Sequence, residues 1–321
     1  MTKKPFVIAL EEHYWDAELS AQFNSPEVNN RALRPKLESL GELRLKAMDE
    51  AGIDVQVLSH GAPATQRLND AGAVEMARRV NDRLHAAILV HPTRLAGFGV
   101  LPTADPRAAA DELERVVTKL GFKGAMVHGI ANGAFFDDKR FWPIYERAQA
   151  LDVPLYIHPA MPHPAVIEAY YKDYVKDFPS ILTAGWGFTV ETATQGIRIV
   201  LSGVLDAYPR VKLILGHMGE GLPFSLWRID QALSRGGNRS SGSASFREAF
   251  REHFWITTSG NFSTPALLCS IMEMGVDRIM FSVDWPYVES GPGVRWIEGV
   301  PLCTEDREKI MHGTARRLLK L

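Results

Sequence analysis

Ionisable side chains stand at the ends of several short apolar segments of the chain. Glu11 and His13 end the first of these segments, and later ones end at His158, His217 and Asp284. Two histidines, a glutamate and an aspartate that meet would form a mixed nitrogen and oxygen donor set, which suits Zn²⁺, Mn²⁺ or Fe²⁺. Four protein ligands leave open positions on an ion that accepts five or six partners. The sequence therefore predicts a site for a divalent metal ion, provided that these segment ends come together.

The segment 216–223 adds a second pair of polar residues. His217 ends an apolar segment, and Glu220 lies in the glycine-rich turn before a helix that Pro223 opens. A histidine and a glutamate three residues apart can form a hydrogen bond, which orients the imidazole and raises its basicity. A glycine-rich helix entry with incidental polar residues is the competing interpretation. The spacing alone leaves His217 open between a metal ligand and an acid–base group.

The elements that must position these side chains are short segments rich in Val, Ile and Leu, which alternate with amphipathic helical patterns. One connection has clear helix signals, with Asp105 as N-cap, Pro106 at the first position and Gly121 as the stop. Eight strands in this rhythm predict an α/β fold, a single (β/α)8 TIM barrel whose active site lies at the carboxyl ends of the strands. The predicted strands are Val7–His13, Ile53–His60, Leu95–Leu101, Gly124–Gly129, Pro154–Pro159, Lys212–His217, Phe254–Ser259 and Ile279–Pro286.

The two-residue period of a strand predicts which side chains share a face. In the first strand, Val7, Ala9, Glu11 and His13 fall together, and the small apolar members suit a barrel interior. This facing selects Glu11, and not Glu12, as the partner of His13. The same alternation groups residues on other strands: Tyr156 with His158, Leu213 and Leu215 with His217, and Met280 and Ser282 with Asp284.

Composition excludes several classes of protein. The chain has 321 residues, with 36 Lys and Arg against 38 Asp and Glu and a formal net charge of −2. This balance argues against a nucleic-acid-binding or membrane-surface protein, and no apolar run approaches the roughly 18 residues of a membrane span. Cys269 and Cys303 are the two cysteines. We expect them to be buried small residues of a cytoplasmic protein without a disulfide framework.

Chain length also bears on domain organisation. A (β/α)8 barrel typically needs about 250 residues, so 321 residues allow one barrel with sizeable insertions. The long connections are Trp15–Arg44 after strand 1, Ala160–Thr183 after strand 5 and Ser234–Phe246 after strand 6. The strand and helix rhythm resumes after each of them. We therefore expect residues 1–321 to form one domain.

Motifs along nearly the whole chain carry a family resemblance. They are Leu10-Glu-Glu-His13, Tyr156-Ile-His-Pro159, Ile214-Leu-Gly-His-Met-Gly-Glu-Gly-Leu-Pro223 with Trp227-Arg228, Ile256-Thr-Thr-Ser-Gly-Asn-Phe262 and Phe281-Ser-Val-Asp-Trp-Pro286. In this order they resemble the metal-dependent decarboxylase branch of the amidohydrolase superfamily, the branch of the γ-resorcylate (2,6-dihydroxybenzoate) and 2,3-dihydroxybenzoate decarboxylases.

The resemblance implies a role for each matching residue. It implies one divalent metal ion, held by Glu11, His13, His158 and Asp284, and no organic cofactor. The fourth strand, Gly124–Gly129, lacks the lysine that bridges two ions in binuclear members, which agrees with one ion.

The resemblance also bears on the substrate side of the site. It implies that His217 and Glu220 act on the substrate side, and that Arg228, if buried there, binds a carboxylate or phenolate oxygen. Trp186, Phe188 and Trp285 are candidate pocket walls. The sequence departs from the family at His60 and Gly61, where we expect an apolar residue and Asn, and at His128, where the γ-resorcylate enzymes have Asn. The poorly aligned segments, around Trp15–Asn24 and Pro162–Lys176, also belong to pocket walls, so the metal chemistry carries over better than the substrate identity.

The motifs and the spacing of these residues leave three functions open. The first is a non-oxidative decarboxylase of an ortho-hydroxylated aromatic acid, with Asp284 as proton donor to the ring carbon. The second is a hydrolase, for example of a lactone, or a hydratase with the same metal ligands. The third, a barrel that binds ligands without catalysis, is disfavoured because no expected site residue is missing. The expected partners are a small aromatic acid and other copies of the chain, as a homodimer or homotetramer.

Overall fold

Eight short parallel strands form the centre of the fold. The computed structural model describes residues 5–24, 30–69, 72–235 and 244–321. The strands are β1 (Ile8–Tyr14), β2 (Val55–His60), β3 (Leu95–Gly97), β4 (Ala125–His128), β5 (Pro154–His158), β6 (Lys212–Leu215), β7 (Phe254–Thr257) and β8 (Ile279–Met280). Every strand falls within or overlaps one predicted segment, in the predicted order.

The strands close into a barrel. Neighbours in sequence pair in parallel along β1-β2-β3 and along β4-β5-β6-β7-β8. Two parallel bridges join these two sheets, Gly99 with Ala125 between β3 and β4, and Leu10 with Ser282 between β8 and β1. The predicted (β/α)8 barrel is therefore confirmed.

Helices surround the barrel. The longer ones are Glu42–Ala51, Gly72–Val90, Pro106–Thr118, Trp142–Leu151, Gly187–Leu201, Leu222–Arg235, Phe246–His253, Thr264–Met274 and Ser290–Gly299. Shorter helices are Ala17–Ser20, Arg34–Leu37, Pro164–Val166, Val204–Ala207, Thr304–Glu308 and Thr314–Leu319. There are 3₁₀ turns at Ala64–Arg67, Lys139–Phe141, Pro179–Leu182 and Val276–Arg278, and π turns at Ile167–Tyr171 and Lys309–Gly313. The capping signal at Asp105 acts as predicted, since its Oδ1 accepts hydrogen bonds from Arg107 N and Ala108 N.

The predicted facing of the first strand is wrong in its lower half. Ile8 and Leu10 pack in the cluster that fills the barrel with Tyr156 and Met280, whereas Val7 and Ala9 pack in the cluster under the helices. The reason is a register shift in β1 between Ala9 and Glu12, where Glu11 has a φ of 57°. Such a bulge resets the alternation of side chains. Glu11 and His13 consequently reach the site, although Val7 and Ala9, which the two-residue period groups with them, point toward the helices.

A similar irregularity affects the sixth strand. Leu213 and Leu215 pack under the helices and not beside His217, so that predicted grouping is wrong as well. β6 ends at Leu215, and His217 lies beyond it with a φ of 49°. The other two groupings agree with the structure, because Tyr156 and Met280 pack inside the barrel below His158 and Asp284.

Two of the long connections carry structure of their own. The first contains the helices Ala17–Ser20 and Arg34–Leu37, and the second contains Pro164–Val166 with the turns that follow it. Within the third predicted insertion, residues 236–243 lie outside the described residues. Cys269 is half-buried and Cys303 is exposed, which corrects the expectation that both are buried. No helix among the described residues has the length and apolar character that crossing a membrane requires.

Candidate metal centre

Four side chains from two strands and one loop meet at the carboxyl ends of the barrel strands. Glu11 and His13 come from β1, His158 ends β5, and Asp284 follows β8. One nitrogen or oxygen from each lies within 4.8 Å of each of the others. Glu11, His13 and His158 are buried, and Asp284 is half-buried. The structure thus brings together the four residues that the sequence singled out as metal ligands.

The two oxygens of Glu11 have different surroundings. Oε2 accepts hydrogen bonds from the hydroxyls of Tyr156 and Ser259, and the Thr257 hydroxyl lies 3.4 Å away. Oε1 is buried and accepts no hydrogen bond from any residue that the structure describes. It lies 3.2 Å from Nε2 of His158. A buried carboxylate oxygen without a donor is costly unless a cation compensates it.

The hydrogen bonds of the two histidines point their Nε2 lone pairs at one another. Nδ1 of His158 lies 2.8 Å from the Pro159 carbonyl, which only accepts, so the ring hydrogen is on Nδ1. Nδ1 of His13 lies 3.2 Å from the Ser59 hydroxyl, which can accept its hydrogen. The two Nε2 atoms are 3.1 Å apart. Burial lowers the pKa of His13 to about 4 and also lowers that of His158, so both rings are neutral, as metal ligands must be.

Asp284 is the member of this group whose side chain is partly exposed to solvent. Its Oδ1 lies 3.2 Å from Nε2 of His13, and its Oδ2 lies 4.0 Å from Nε2 of His217. Burial, followed by the charge of Glu11, raises the pKa of this carboxyl to about 8. Of the four candidate ligands, it is the one that a molecule entering from solvent can touch.

His217 and Glu220 form a pair at the rim of this group. Nδ1 of His217 lies 2.6 Å from Oε1 of Glu220, and Nε2 of His217 lies 3.3 Å from Oε1 of Glu11. Burial disfavours the charged imidazole, but the carboxylates of Glu220 and Glu11 outweigh it and raise the pKa of His217 well above its usual value. Glu220 occupies the Nδ1 side of His217, and Nε2 is the ring nitrogen that faces the group of four candidate ligands.

The arrangement fits a divalent cation. An unpaired buried carboxylate oxygen, two neutral imidazole lone pairs and a second carboxylate converge on one point. Without a positive charge between them these groups repel each other, whereas nitrogen and oxygen ligands of this kind bind Mn²⁺ or Zn²⁺.

Comparison with known proteins places the chain in a family. The sequence model of the amidohydrolase family matches residues 11–321. The chain belongs to the amidohydrolase family. It is 42% identical to the γ-resorcylate decarboxylase of Polaromonas sp. (strain JS666) over an alignment 326 positions long, which covers 98% of both chains.

Solved structures of the amidohydrolase fold are also similar. A crystal structure of 2,6-dihydroxybenzoate decarboxylase complexed with 2,6-dihydroxybenzoate has a TM-score of 0.90 and 38% identity, covering 98% of this chain and 99% of the other. A dihydroxybenzoic acid decarboxylase from Polaromonas sp. JS666, with bound manganese and the inhibitor 2-nitroresorcinol, has a TM-score of 0.90 and 41% identity, covering 99% and 97%. The family resemblance stated from the motifs is confirmed.

His128 forms a hydrogen bond with His158, one of the four candidate metal ligands. Nδ1 of His128 lies 2.9 Å from Nδ1 of His158, and its Nε2 lies 2.8 Å from the carbonyl of His60. Since that carbonyl accepts the Nε2 hydrogen, Nδ1 of His128 carries a lone pair and shares the Nδ1 hydrogen of His158 with the Pro159 carbonyl. His128 is buried and contacts His158 at Nδ1, whereas Nε2 of His158 faces the other candidate ligands.

His60 is not one of the four candidate metal ligands. Its Nε2 accepts a hydrogen bond from the backbone of Asp16, and its Nδ1 donates to the carbonyl of Gly61. Both ring nitrogens are therefore used between two loops. The structure buries His60 and does not present it as a surface for a substrate.

Trp285 is not a pocket wall in this structure. The ring is buried in the core, with the guanidinium of Arg44 stacked 4.3 Å from its centroid. Arg44 donates to the carbonyl of His13 and to Gln56 Oε1. Gln56 in turn donates to Glu12, whose other oxygen accepts from Val283 N. Through its contact with Arg44, Trp285 therefore fixes the backbone next to Asp284.

The remaining predicted substrate residues differ in exposure. Trp186 is 55% exposed, and Phe188 is half-buried at the start of the helix Gly187–Leu201. Arg228 lies on the solvent side of the helix Leu222–Arg235 and is exposed, not buried as its predicted role requires. One chain alone does not place Arg228 against the metal group.

Sequence reasoning missed the hydroxyls that hold Glu11. Thr257 and Ser259 lie two residues apart, and with Tyr156 they surround Oε2 of Glu11. The signal was present, since hydroxyls at alternate positions of a predicted strand share a face. Ser59 beside His13 carried no such pattern.

Proposed function

We propose that the chain is a metal-dependent, non-oxidative decarboxylase of an ortho-hydroxylated aromatic carboxylic acid of the dihydroxybenzoate type. The observation that carries this proposal is the group Glu11, His13, His158 and Asp284 with the pair His217 and Glu220 at its rim. This arrangement occurs in a chain 42% identical over its full length to a γ-resorcylate decarboxylase.

The first four residues would hold one divalent ion. Mn²⁺ is the first candidate, because a similar dihydroxybenzoic acid decarboxylase and a 5-carboxyvanillate decarboxylase both contain manganese; Zn²⁺ is the second and Fe²⁺ the third. When bound there, the ion would supply positive charge that stabilises the carboxylate and the neighbouring phenolate of the substrate. An organic cofactor has no part in this proposal.

Asp284 supplies the proton in this proposal. Its Oδ2 is the carboxylate oxygen that faces His217 and the open side of the site. Asp284 is protonated before this step; it gives its proton to the ring carbon that bears the carboxylate and becomes a carboxylate itself, and the transfer interrupts the aromatic ring. The bond between that carbon and the carboxylate then breaks, its electron pair returns to the ring, and carbon dioxide leaves. Aromaticity is restored with hydrogen in place of the carboxylate.

His217 and Glu220 would bind a ring hydroxyl. His217 presents Nε2–H toward the site, while Glu220 fixes its Nδ1 side. This orientation holds the ring so that its carboxylate-bearing carbon meets Asp284. Phe188 and Trp186 remain candidate apolar contacts of the substrate ring in this proposal; Phe188 is next to Thr189, whose hydroxyl donates to Glu220.

The test compares two substrate panels with the metal-loaded protein. We expect decarboxylation of hydroxybenzoates that carry a hydroxyl next to the carboxylate, loss of this activity after chelation, and its return with Mn²⁺. In the reverse direction we expect bicarbonate-dependent carboxylation of the corresponding phenol. Turnover of lactones with no reaction of any hydroxybenzoate would instead establish the hydrolase function, and turnover of unsaturated acids a hydratase.

The assembly and location of the chain are further proposals. We propose one domain over residues 1–321, supported by the core cluster that runs from Val7 to Met311. We propose a homodimer or homotetramer, supported by the exposed apolar side chains Phe224, Trp227 and Met272, which are 86%, 57% and 84% exposed. Light scattering after size-exclusion chromatography measures this state. A cytoplasmic location is supported by the two unpaired cysteines.

A further inference from the structure

The charged group Glu11 is fully buried among hydroxyl side chains. Oε2 accepts from Tyr156 and Ser259, and Thr257 lies 3.4 Å from the same oxygen. These hydroxyls also contact each other, with Tyr156 2.7 Å and Ser259 2.6 Å from the Thr257 oxygen. We call Tyr156, Thr257 and Ser259 the hydroxyl cradle. It surrounds one carboxylate oxygen, whereas Oε1 receives no hydroxyl hydrogen bond from the described residues and faces Nε2 of His158 and of His217.

Gly216 also lies close to the Glu11 carboxylate. A Cβ atom at Gly216 would lie 2.5 Å from Oε2 and 3.0 Å from Oε1 of Glu11, so only glycine leaves the carboxylate the space that it occupies. Two of the three hydroxyls donate to Oε2 of Glu11, so this oxygen is already held by hydrogen bonds from the protein.

We propose that the hydroxyl cradle positions Glu11 so that Oε2 is held by the protein and Oε1 alone is offered to the metal ion. This inference rests on the metal centre of the proposed function. The cradle stabilises the buried carboxylate before an ion arrives, and it prevents both oxygens from turning toward the ion. Tyr156, Thr257 and Ser259 are thus positioning residues that act through Glu11.

The test measures Mn²⁺ binding to the chelated protein by calorimetry and by the electron paramagnetic resonance signal of the unbound ion. We expect Tyr156→Phe to weaken Mn²⁺ binding by about ten- to a hundredfold, the usual cost of losing a partner of a metal ligand. Tyr145→Phe is the matched control, because Tyr145 is also fully buried and its hydroxyl donates to the Phe136 carbonyl at 3.1 Å. That control should bind Mn²⁺ as the wild type does.

A second pair of variants guards against misfolding of Tyr156→Phe. Thr257→Val removes a hydroxyl with little change of shape, and Thr257→Ser keeps it. We expect Thr257→Ser to bind Mn²⁺ more tightly than Thr257→Val. Unchanged Mn²⁺ binding in folded Tyr156→Phe and in Thr257→Val would overturn the positioning role while the proposed function stands. A wild-type protein that binds no divalent ion would overturn the metal centre and the cradle together.

Discussion

Nδ1 of His217 lies 2.6 Å from Oε1 of Glu220, in a turn where both residues have positive φ angles of 49° and 53°. Met218 and Gly219 between them are also left-handed, with φ angles of 60° and 69°. The other oxygen of Glu220 accepts a hydrogen bond from the Thr189 hydroxyl at 2.9 Å. Backbone strain of this kind persists where the surroundings fix it, and it is concentrated at functional sites. The turn thereby fixes the orientation of the His217 imidazole next to the four candidate metal ligands.

The Glu220→Gln variant tests this turn. The amide can still form a hydrogen bond, but it removes the charge that keeps His217 protonated. We expect kcat/KM for the aromatic acid to fall by roughly a hundredfold or more, within the range for loss of a positioned proton donor. Bound metal per chain should stay as in the wild type, because Glu220 is not one of the four candidate ligands. Loss of the metal together with the activity would contradict this division of roles.

Asp284→Asn separates the chemical step from folding. The amide has nearly the shape of the carboxyl group but cannot give up a proton in the same way, and it is a poorer metal ligand. We expect turnover to fall by several orders of magnitude while circular dichroism and the unfolding temperature stay close to those of the wild type. Single-turnover decarboxylation at saturating Mn²⁺ is the measurement. A near-normal rate would exclude Asp284 as the proton donor.

Strand order and the four converging side chains could be predicted because they depend on periodic patterns. Apolar runs of strand length predict a parallel barrel, and a polar residue at the end of each run must lie at the carboxyl edge. Thus Glu11, His13, His158 and Asp284 follow from position along the chain. Asp105 was similarly predictable, because a helix cap acts within its own turn.

Departures from regular geometry could not be predicted. The bulge at Glu11 and the left-handed turn at His217 depend on contacts between residues far apart in sequence, so the two-residue period failed at Val7 and Leu215. The sequence around Trp285 does not distinguish a tryptophan that contacts a ligand from one that packs on a buried arginine. Its stacking on Arg44, 241 positions away in the numbering, is visible only in three dimensions.

A pH effect on stability is expected at Glu191. This carboxyl is buried near Glu220, and burial raises its pKa from 4.5 to about 8. The folded state therefore binds a proton more tightly than the unfolded state does. The stabilisation that Glu191 contributes to the folded state is therefore complete below about pH 4.5. It decreases as the pH rises from there to about 8, and it changes no further at higher pH.

Glu191→Gln removes this dependence. The amide is neutral at every pH, so the variant should gain stability relative to the wild type as the pH rises. Between about pH 6 and about pH 8 the difference in free energy of unfolding should grow by roughly 3 kcal/mol at most, from 1.36 kcal/mol per pH unit. Urea unfolding at several pH values measures it. The exposed Glu146→Gln is the control and should run parallel to the wild type; a Glu191→Gln curve parallel to the wild type would refute the assignment.

Gly216→Ala tests whether the space beside Glu11 is needed for metal binding. Gly216 has φ and ψ of −75° and −171°, which alanine adopts without strain, so the cost of the substitution comes from the contact of 2.5 Å between Cβ and Oε2 of Glu11. We expect Mn²⁺ affinity to fall at least tenfold, with a loss of stability of about 1–3 kcal/mol from overpacking. Gly299→Ala is the matched control, since a Cβ there meets no atom within 4 Å. If Gly216→Ala folds and binds Mn²⁺ with wild-type affinity, then Glu11 is not confined as the structure indicates.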